Sequence, residues 1–454
     1  MTRVITYGSF DLFHEGHYRL LKRAKGLGDH LTVGVTTEHY DITRGKLNLV
    51  DSIMTRIENV RQTGFADEII VEDHEGQKIE DIQRYGIDIF TLGSDWAGRF
   101  DYLNQYCKVV YLPRTAGISS TDLRNSRQKI VRIGIIGTGR IAPRFFKETS
   151  FVSGIEVVSA YNPEEDSAKE FEKLYQVKVR TSRFDEFLSE IDAVYVASPN
   201  ETHCDYVRKS IEAGKHALCE KPMTFTYREA VELYKLAEEK GVTLMEGIRT
   251  AYLPGFQQLL SVATNGTIGR ICDVEACFTR LGAPGTREMT DAKYSGAFLE
   301  YGSYTMLPVF KIFGKDYDHI QIESVYGKDG IDILTKVHFR YGNSVATAVA
   351  GAGVKSEGQL VISGTNGYIL AQSPWWLTRG FDVRYEDPAK IDHYDAAFSG
   401  EDGLRYEIAE FVGKINGTAG KDYKLTADES IAMADVVEKF MEKRRAYHLL
   451  ETNA

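Results

Sequence analysis

The sequence has no apolar run approaching the roughly eighteen residues of a membrane-spanning helix, and its opening, Met1, Thr2, Arg3, Val4, Ile5, has no cationic segment leading into an apolar signal core. No membrane association is expected. Its five cysteines, Cys107, Cys204, Cys219, Cys272 and Cys277, are odd in number and show no metal-ligand spacing. That makes a poor disulfide framework and fits a reducing cytoplasm. Blocks of lysine and arginine are missing and the formal net charge is −10, which argues against general nucleic-acid binding. Nucleotides would be bound as small molecules. Internal repeats and low-complexity tracts are absent too. What remains is a 454-residue chain, too long for one ordinary core, for which two or three domains are expected.

The stretch from Ile130 to Ala142 is an apolar strand run that ends in Gly137, Thr138, Gly139 and then Ala142. Glycines at this spacing let backbone N–H groups approach a dinucleotide pyrophosphate at a helix N-terminus. Gly137, Thr138, Gly139, Arg140 and Ile141 are the expected contacts. A Rossmann unit thus opens near residue 130, and residues 1–127 need their own explanation.

In that first segment, short apolar runs (Val4 to Tyr7, Leu31 to Val35, Ile69 to Val71, Ile89 to Leu92, Val109 to Leu112) alternate with helix-length amphipathic stretches. Such alternation implies a parallel α/β sheet with ligands at the strands' carboxyl ends. After the first run stand Gly8, Ser9, Phe10, Asp11, then His14, Gly16 and His17. Gly16 allows a close backbone approach, and imidazoles three residues apart at a helix start can both face one phosphate, although helix capping would use the same pair. No nucleophile is present. The chemistry that suits the motif is attack of a substrate phosphate on a nucleoside triphosphate, where catalysis is positioning and charge neutralisation. Arg114, Thr115, Ser119, Ser120, Thr121 and Arg124 follow the fifth run and would bring a guanidinium, hydroxyls and a helix N-terminus to phosphates.

With Gly93, Ser94, Asp95, Trp96 after the fourth run, the segment resembles the glycerol-3-phosphate cytidylyltransferases of the nucleotidyltransferase superfamily. The resemblance implies His14 and His17 at the triphosphate, Lys46 reaching phosphate from a loop, Asp95 at the base or sugar side, and Arg114, Thr115, Ser119 and Ser120 on nucleotide and phosphate. Gly8, Ser9, Phe10, Gly16 and Thr121 complete the expected nucleotide contacts, and Mg²⁺ accompanies the triphosphate. Two departures stand out. Where the family has an arginine this chain has Gly64, with Arg61 a helical turn earlier as a possible substitute. Ile118, Ser119, Ser120, Thr121 with Arg124 is also similar to adenylyltransferases, which leaves ATP open beside CTP.

Beyond the glycine turn, a second strand from Ile155 ends at Tyr161, Asn162, Pro163, where an acidic residue would bind the ribose of NAD. Asn162 neither repels nor welcomes a 2′-phosphate. Glu164, Glu165 and Asp166 discourage one, which favours NAD(H) slightly and leaves NADP(H) open. Next come a strand through Val196, then Ser198, Pro199, Asn200 and His203, a helix to Gly214, a strand from Lys215 to Cys219, and Glu220, Lys221, Pro222. This places a lysine at a strand's carboxyl end where nicotinamide would lie. The pattern resembles the glucose-fructose oxidoreductase and inositol dehydrogenase (Gfo/Idh/MocA) family from about residue 130 to 454.

The resemblance implies that Lys221 hydrogen-bonds the substrate oxygen that changes charge as hydride moves, with Glu220 holding it. Ser198, Asn200 and His203 would border the cofactor. Where the family has Asp and, four residues on, His, this chain has Glu300 and Tyr304. Tyr304 would act as general acid or base, its phenol needing a cation such as Lys221 to serve near neutrality. Alternating runs from Val274 to Ser363 read as an open antiparallel sheet. Trp375, Trp376 and Arg379 form an aromatic loop, more suited to packing than to covering substrate. A last helix from Glu401 to Lys414, with Leu404, Ile408 and Phe411 on one face and Tyr406 and Glu410 opposite, would dock on the Rossmann core.

The expected class is α/β: a nucleotidyltransferase domain (1–127), an NAD(P)-binding Rossmann domain (130–248) and a substrate and dimerisation sheet lobe (249–454). The expected function is bifunctional: NAD(P)H-dependent reduction of a sugar or sugar phosphate carbonyl, and cytidylyl transfer from CTP to the polyol phosphate. The alternative is a single-activity nucleotidyltransferase with a non-catalytic nucleotide-binding module. Partners are small molecules, and both resemblances imply a homo-oligomer.

Overall fold

Apolar runs such as Val4, Ile5 and Leu31, Val33, Val35, the latter interrupted only by the small residues Thr32 and Gly34, belong in parallel strands covered on both faces, and all five are buried. The computed structural model describes residues 1–13, 15–43, 49, 51–113, 130–282, 285–396, 402–418 and 424–452. It divides into two compact units, Met1–Ile130 with Ser150–Gly154, and Val131–Thr149 with Ile155–Ala454. Among the described residues no helix is long and apolar enough to cross a membrane.

Among its described residues the first unit has strands β1 (Arg3–Gly8), β2 (His30–Thr36), β3 (Glu68–Glu72), β4 (Ile89–Gly93) and β5 (Lys108–Leu112). Its helices are α1 (Glu15–Lys25), α2 (Glu38–Thr43), α3 (Ile53–Gln62) and α4 (Gln77–Tyr85). The strands pair in parallel in the order β3-β2-β1-β4-β5. The order reverses between β1 and β4, and the crevice above their carboxyl ends is where such sheets bind ligands.

The second unit opens with another parallel sheet: β6 (Val131–Ile136), β7 (Ile155–Tyr161), β8 (Lys178–Arg180), β9 (Ala193–Val196), β10 (His216–Glu220) and β11 (Leu244–Gly247). Between them run α5 (Ala142–Thr149), α6 (Glu165–Tyr175), α7 (Phe184–Ser189), α8 (His203–Glu212) and α9 (Tyr227–Lys240). The order β11-β10-β9-β6-β7-β8 reverses at β6 and β9.

After α10 (Pro254–Thr264) come β12 (Ile271–Thr279), α11 (Ala297–Phe313), β13 (His319–Tyr326), β14 (Asp332–Tyr341), β15 (Ser344–Gly351), β16 (Leu360–Gly364), β17 (Tyr368–Ala371), β18 (Gly380–Arg384) and β19 (Ile391–Asp395). These strands form one open sheet, β13-β14-β15-β12-β16-β17-β18-β19, antiparallel except where β12 meets β15. The exception has a topological cause: α11 crosses back over the sheet, so β13 starts in the direction of β12 and the meander ends beside it in that same direction. The long buried side of α11 packs on β12, β14 and β15.

The helix expected to close the chain is α12 (Leu404–Ile415), and it does dock on the Rossmann core, against α5. Two features differ from expectation. Its opposite face is not open to solvent: Glu410 is buried and Tyr406 half-buried, and Glu407 is buried along with Leu404, Ile408 and Phe411. Nor is it last, for α13 (Ala427–Thr452) follows and buries Met433, Val437, Phe440 and Arg444. The α12 contact is anchored by Arg405, whose Nε and Nη2 donate to Glu148 of α5 at 2.7 and 2.8 Å, both side chains being almost wholly buried. Removing one member of a buried pair strands the other charge. Glu148→Ala is therefore expected to cost about 3 kcal/mol in urea unfolding of the second unit; a loss below about 1 kcal/mol would show that the pair adds nothing beyond packing.

Candidate active sites

In the first unit the segment leaving β1 is held in a strained form. Phe10 and Leu12 have φ of 51° and 46°, a region that costs non-glycine residues of order 1–3 kcal/mol unless surroundings fix it. Here they do. Phe10 is buried and sets its ring edge-on to His17, 5.5 Å between centroids, and Phe13 lies equally close to the same imidazole. The Leu12 N–H donates to Asp51 Oδ2 at 3.1 Å, and the Asp51 N–H donates back to Asp11 Oδ1 at 2.9 Å. His17 thus stands in the first turn of α1, between two aromatic rings, with exposed Gly16 before it.

The same loop is pinned from below by Arg56 of α3, which is fully buried. Its Nη1 donates to the carbonyls of Ser9 (2.9 Å) and Thr36 (2.8 Å) and its Nε to that of Asp51 (3.0 Å), with Asp41 and Glu38 as ion-pair partners. Arg61, the possible substitute for the missing family arginine, is exposed and paired with Glu58. Gly64 closes the turn after α3 at φ +70°, a conformation that favours glycine. Ser94 to Trp96 form a short turn after β4. His14, Arg44, Lys46, Arg114, Thr115, Ser119, Ser120, Thr121, Arg124 and the Asp95 side chain lie outside the described residues.

In the second unit Gly137 has φ +93°, and a Cβ there would come within 2.7 Å of the Ala197 carbonyl oxygen. Only glycine fits. A Cβ on Gly139 would meet nothing within 4 Å, which is the room a pyrophosphate needs in front of α5. This cradle fits a dinucleotide, with Arg140 exposed and Ile141 half-buried at its rim. Thr138 Oγ1 accepts from the Asn162 amide and lies 2.7 Å from Ser167 Oγ, while Asn162 Oδ1 accepts from the Glu164 N–H at 3.1 Å. Both ends of the Asn162 amide are thereby used in tying the tip of β7 to the glycine turn.

Lys221 follows β10 in a cis Lys221–Pro222 turn. Its Nζ donates to the main-chain oxygen of Glu300 at 2.8 Å and lies 3.6 Å from Glu300 Oε2, so the longer carboxylate still reaches the ammonium. Burial works against the Lys221 charge, but Glu300, Tyr304 and Glu220 outweigh it and raise its pKa. Glu220 Oε1 accepts from the buried Tyr195 hydroxyl at 2.6 Å. Tyr304, one turn past Glu300 on α11, is buried with its ring centroid 5.7 Å from Lys221 Nζ and 5.8 Å from Arg249 Cζ. Burial raises the phenol pKa, and these two cations pull it back only in part. Tyr304 therefore keeps its proton near neutrality, where a cation-lowered phenol had been expected.

The Lys221 turn is fixed from two sides. His203 is buried, its ring nitrogens each 2.9 Å from the carbonyl oxygens of Pro222 and Ser198, and burial lowers its pKa. Glu246 accepts from the Met223 N–H at 3.0 Å, and burial lifts its carboxyl to about 7. Ser198 Oγ lies 2.7 Å from Thr202 Oγ1, and the Asn200 amide donates to the Tyr294 carbonyl at 3.4 Å. Among the described residues no group of three or more His, Cys, Asp or Glu could hold a metal ion.

Residues 5–126 match the cytidylyltransferase-like family and residues 131–248 the oxidoreductase family with an NAD-binding Rossmann fold. A glycerol-3-phosphate cytidylyltransferase of Bacillus spizizenii is 48% identical over 124 residues, 27% of this chain and 95% of that enzyme. The first part of the chain belongs to the cytidylyltransferase-like family, and the second part is similar to the oxidoreductase family. The scyllo-inositol 2-dehydrogenase (NADP(+)) IolU of Bacillus subtilis is 26% identical over 318 residues, 68% of this chain and 96% of that enzyme. KijD10, a 3-ketoreductase from Actinomadura kijaniata solved with NADP and TDP-benzene, shares the fold of the same part at a TM-score of 0.60, with 22% identity, 68% of this chain and 96% of that one.

Two elements of these sites escaped the sequence reading. In the cytidylyltransferase-like domain it was Arg56, although Ile53, Arg56, Ile57 and Val60 share one helical stripe and an arginine on an apolar stripe is a buried one with partners to find. In the oxidoreductase domain it was Arg249, in a short turn straight after β11. The aromatic loop divides: Trp375 is buried and donates from Nε1 to the Cys277 carbonyl at 2.8 Å, whereas Trp376 stacks on Phe278 at 3.6 Å, which in turn stacks on Tyr301. Arg379 is exposed.

Proposed function

We propose that the chain is a bifunctional enzyme that makes a CDP-activated polyol. One observation carries the reading: an oxidoreductase pocket that sets Lys221 against Glu300 and beside the Tyr304 ring shares a chain with a domain 48% identical to a glycerol-3-phosphate cytidylyltransferase. Gly137, Thr138 and Gly139 hold the dinucleotide pyrophosphate, and Ser198, Asn200 and Glu220 flank the path toward Lys221. Bound NAD(P)H would supply the hydride to a carbonyl carbon. Lys221 hydrogen-bonds the oxygen as negative charge develops there, and Tyr304 delivers the proton, so that ketone, hydride and proton give the alcohol. Glu300 sets the Lys221 ammonium. Asn162, engaged at both ends, offers the ribose neither a carboxylate nor a guanidinium, and NADH and NADPH both remain candidate donors.

In the first domain His17, with His14, neutralises the triphosphate of CTP while the polyol phosphate attacks its α-phosphorus and pyrophosphate leaves, Mg²⁺ arriving with the nucleotide. Arg56 is a positioning residue that fixes the loop carrying Ser9 to Phe13. The product is a donor for phosphodiester-linked surface polymers. Small-molecule partners, a cytoplasmic location and a homo-oligomer complete the reading.

Tyr304→Phe tests the reductase half. It is expected to lower kcat for carbonyl reduction about 100-fold, with the wild-type rate flat through neutrality because the donor phenol stays protonated. Retention of more than half the rate would remove Tyr304 from the proton transfer. Pyrophosphate release with CTP and a panel of polyol phosphates tests the other half; faster release with ATP would overturn the cytidylyl assignment, and no cofactor turnover with any ketone would leave a single-activity transferase.

A further inference from the structure

Arg249 is largely shielded from solvent, and its Nε has no hydrogen-bond partner among the described residues. The side chain is 15% exposed, its Nε is buried without a hydrogen-bond partner, Asp402 lies at 3.6 Å and the Tyr304 ring beside it, and the Glu220 and Glu407 carboxylates add to the field that keeps it charged. A guanidinium keeps its charge at any pH the protein meets and has five N–H donors in a planar fork. Leaving such a group away from water without acceptors is costly, and native structures rarely do so without a reason. Asp402 does not satisfy it: the same carboxylate oxygen is 3.4 Å from Arg144 Nη1, so two guanidiniums share one distant acceptor.

The placement of Arg249 is fixed. It opens the turn Arg249–Tyr252, whose Ala251 N–H bonds the Ile248 carbonyl at 2.9 Å and whose Thr250 hydroxyl donates to the Trp376 carbonyl at 2.7 Å. Trp376 is stacked on Phe278. Lys221 and Arg249 both stand within 6 Å of the Tyr304 ring centroid. A guanidinium with an unpartnered Nε therefore sits beside the group that would protonate the reduced carbonyl, on a turn held by these two hydrogen bonds.

We propose that Arg249 is the specificity residue of the oxidoreductase domain and that it binds an oxyanion of the substrate, a phosphate ester, through its planar fork. This rests on the reading of that domain as a carbonyl reductase and narrows its substrate class to phosphorylated ketoses. It also fits the reaction that follows, because the acceptor in a cytidylyl transfer must already bear a phosphate. The phosphate can belong to a ketose phosphate or to the diphosphate of a CDP-linked ketose, and the two place the reduction before or after cytidylyl transfer.

The test is kcat/KM with NAD(P)H for ketose phosphates, the matching free ketoses, ketonic sugar acids and CDP-linked ketoses, in the full-length protein and in Arg249→Met and Arg249→Lys. The wild type is expected to prefer a phosphorylated substrate over its free counterpart by about 100-fold or more, a charge-assisted bidentate contact being worth that much when shielded from water. Arg249→Met is expected to reduce the preference to within about fivefold, chiefly through KM, and Arg249→Lys to leave it in between. Inorganic phosphate should compete with the ketone in the wild type and do so more weakly in Arg249→Lys, a milder change that reads out if the methionine variant folds poorly.

A wild type that favours free ketoses or sugar acids would overturn the proposal, as would an unchanged preference in both variants or an equal loss for every substrate. Reduction of any ketone that depends on Tyr304 would leave the reductase reading standing in those cases. An Arg249-dependent preference confined to CDP-linked ketoses supports the oxyanion site and places the reduction second.

Discussion

Lys221→Ala is expected to lower kcat/KM for carbonyl reduction by about 1,000-fold while pyrophosphate release by the first domain stays at its wild-type rate. The size follows from where the charge sits. In water an ammonium and a developing alkoxide interact weakly, but Lys221 is largely shielded, and Glu300, Tyr304 and Glu220 hold it charged against the cost of burial. Its hydrogen bond to the Glu300 carbonyl fixes the ammonium before substrate arrives, so little reorganisation is needed as charge moves onto the oxygen. Alanine removes both the donor and the field. Stopped-flow or steady-state loss of cofactor absorbance measures it, and a loss under tenfold would mean that Lys221 only shapes the turn.

His17→Ala is expected to slow cytidylyl transfer by 100- to 1,000-fold with carbonyl reduction unchanged. Phosphoryl-type transfer depends almost wholly on positioned charge, and His17 is positioned by two aromatic rings at 5.5 Å and by a loop held in left-handed φ by Asp51 and Arg56. His17→Asn keeps a polar group of similar reach without the imidazole, and should recover little. If alanine costs less than fivefold in pyrophosphate release, the imidazole caps the helix and does no more.

Both parallel sheets were legible because their signal is local. A buried parallel strand needs only a continuous apolar run, and every such run from Val4 to Leu112 became a strand. The glycine turn was legible for the same reason, since the backbone at Gly137 admits no side chain. What stayed hidden depends on residues far apart in sequence. Nothing local distinguishes Arg405 from a surface arginine until Glu148, 257 positions away, is found beside it. Likewise Tyr304 could be matched to a general acid from its spacing, but the balance between burial and two cations, which decides that the phenol stays protonated, exists only in the folded pocket. The α13 helix was missed although Met433, Val437 and Phe440 repeat at helical spacing, because the next position of that stripe, Arg444, is charged and yet buried.

The Arg405 clamp also orders events during synthesis. Domains emerging from the ribosome tend to fold as units, the amino-terminal one first. The described strands of the transferase sheet are all made once Leu112 has been translated, whereas α5 waits for α12, which begins at Leu404. A nascent chain stalled between those points would carry a finished first sheet and an oxidoreductase whose dinucleotide helix still lacks the partner of Glu148, so the second half completes its core only when nearly the whole chain has been made.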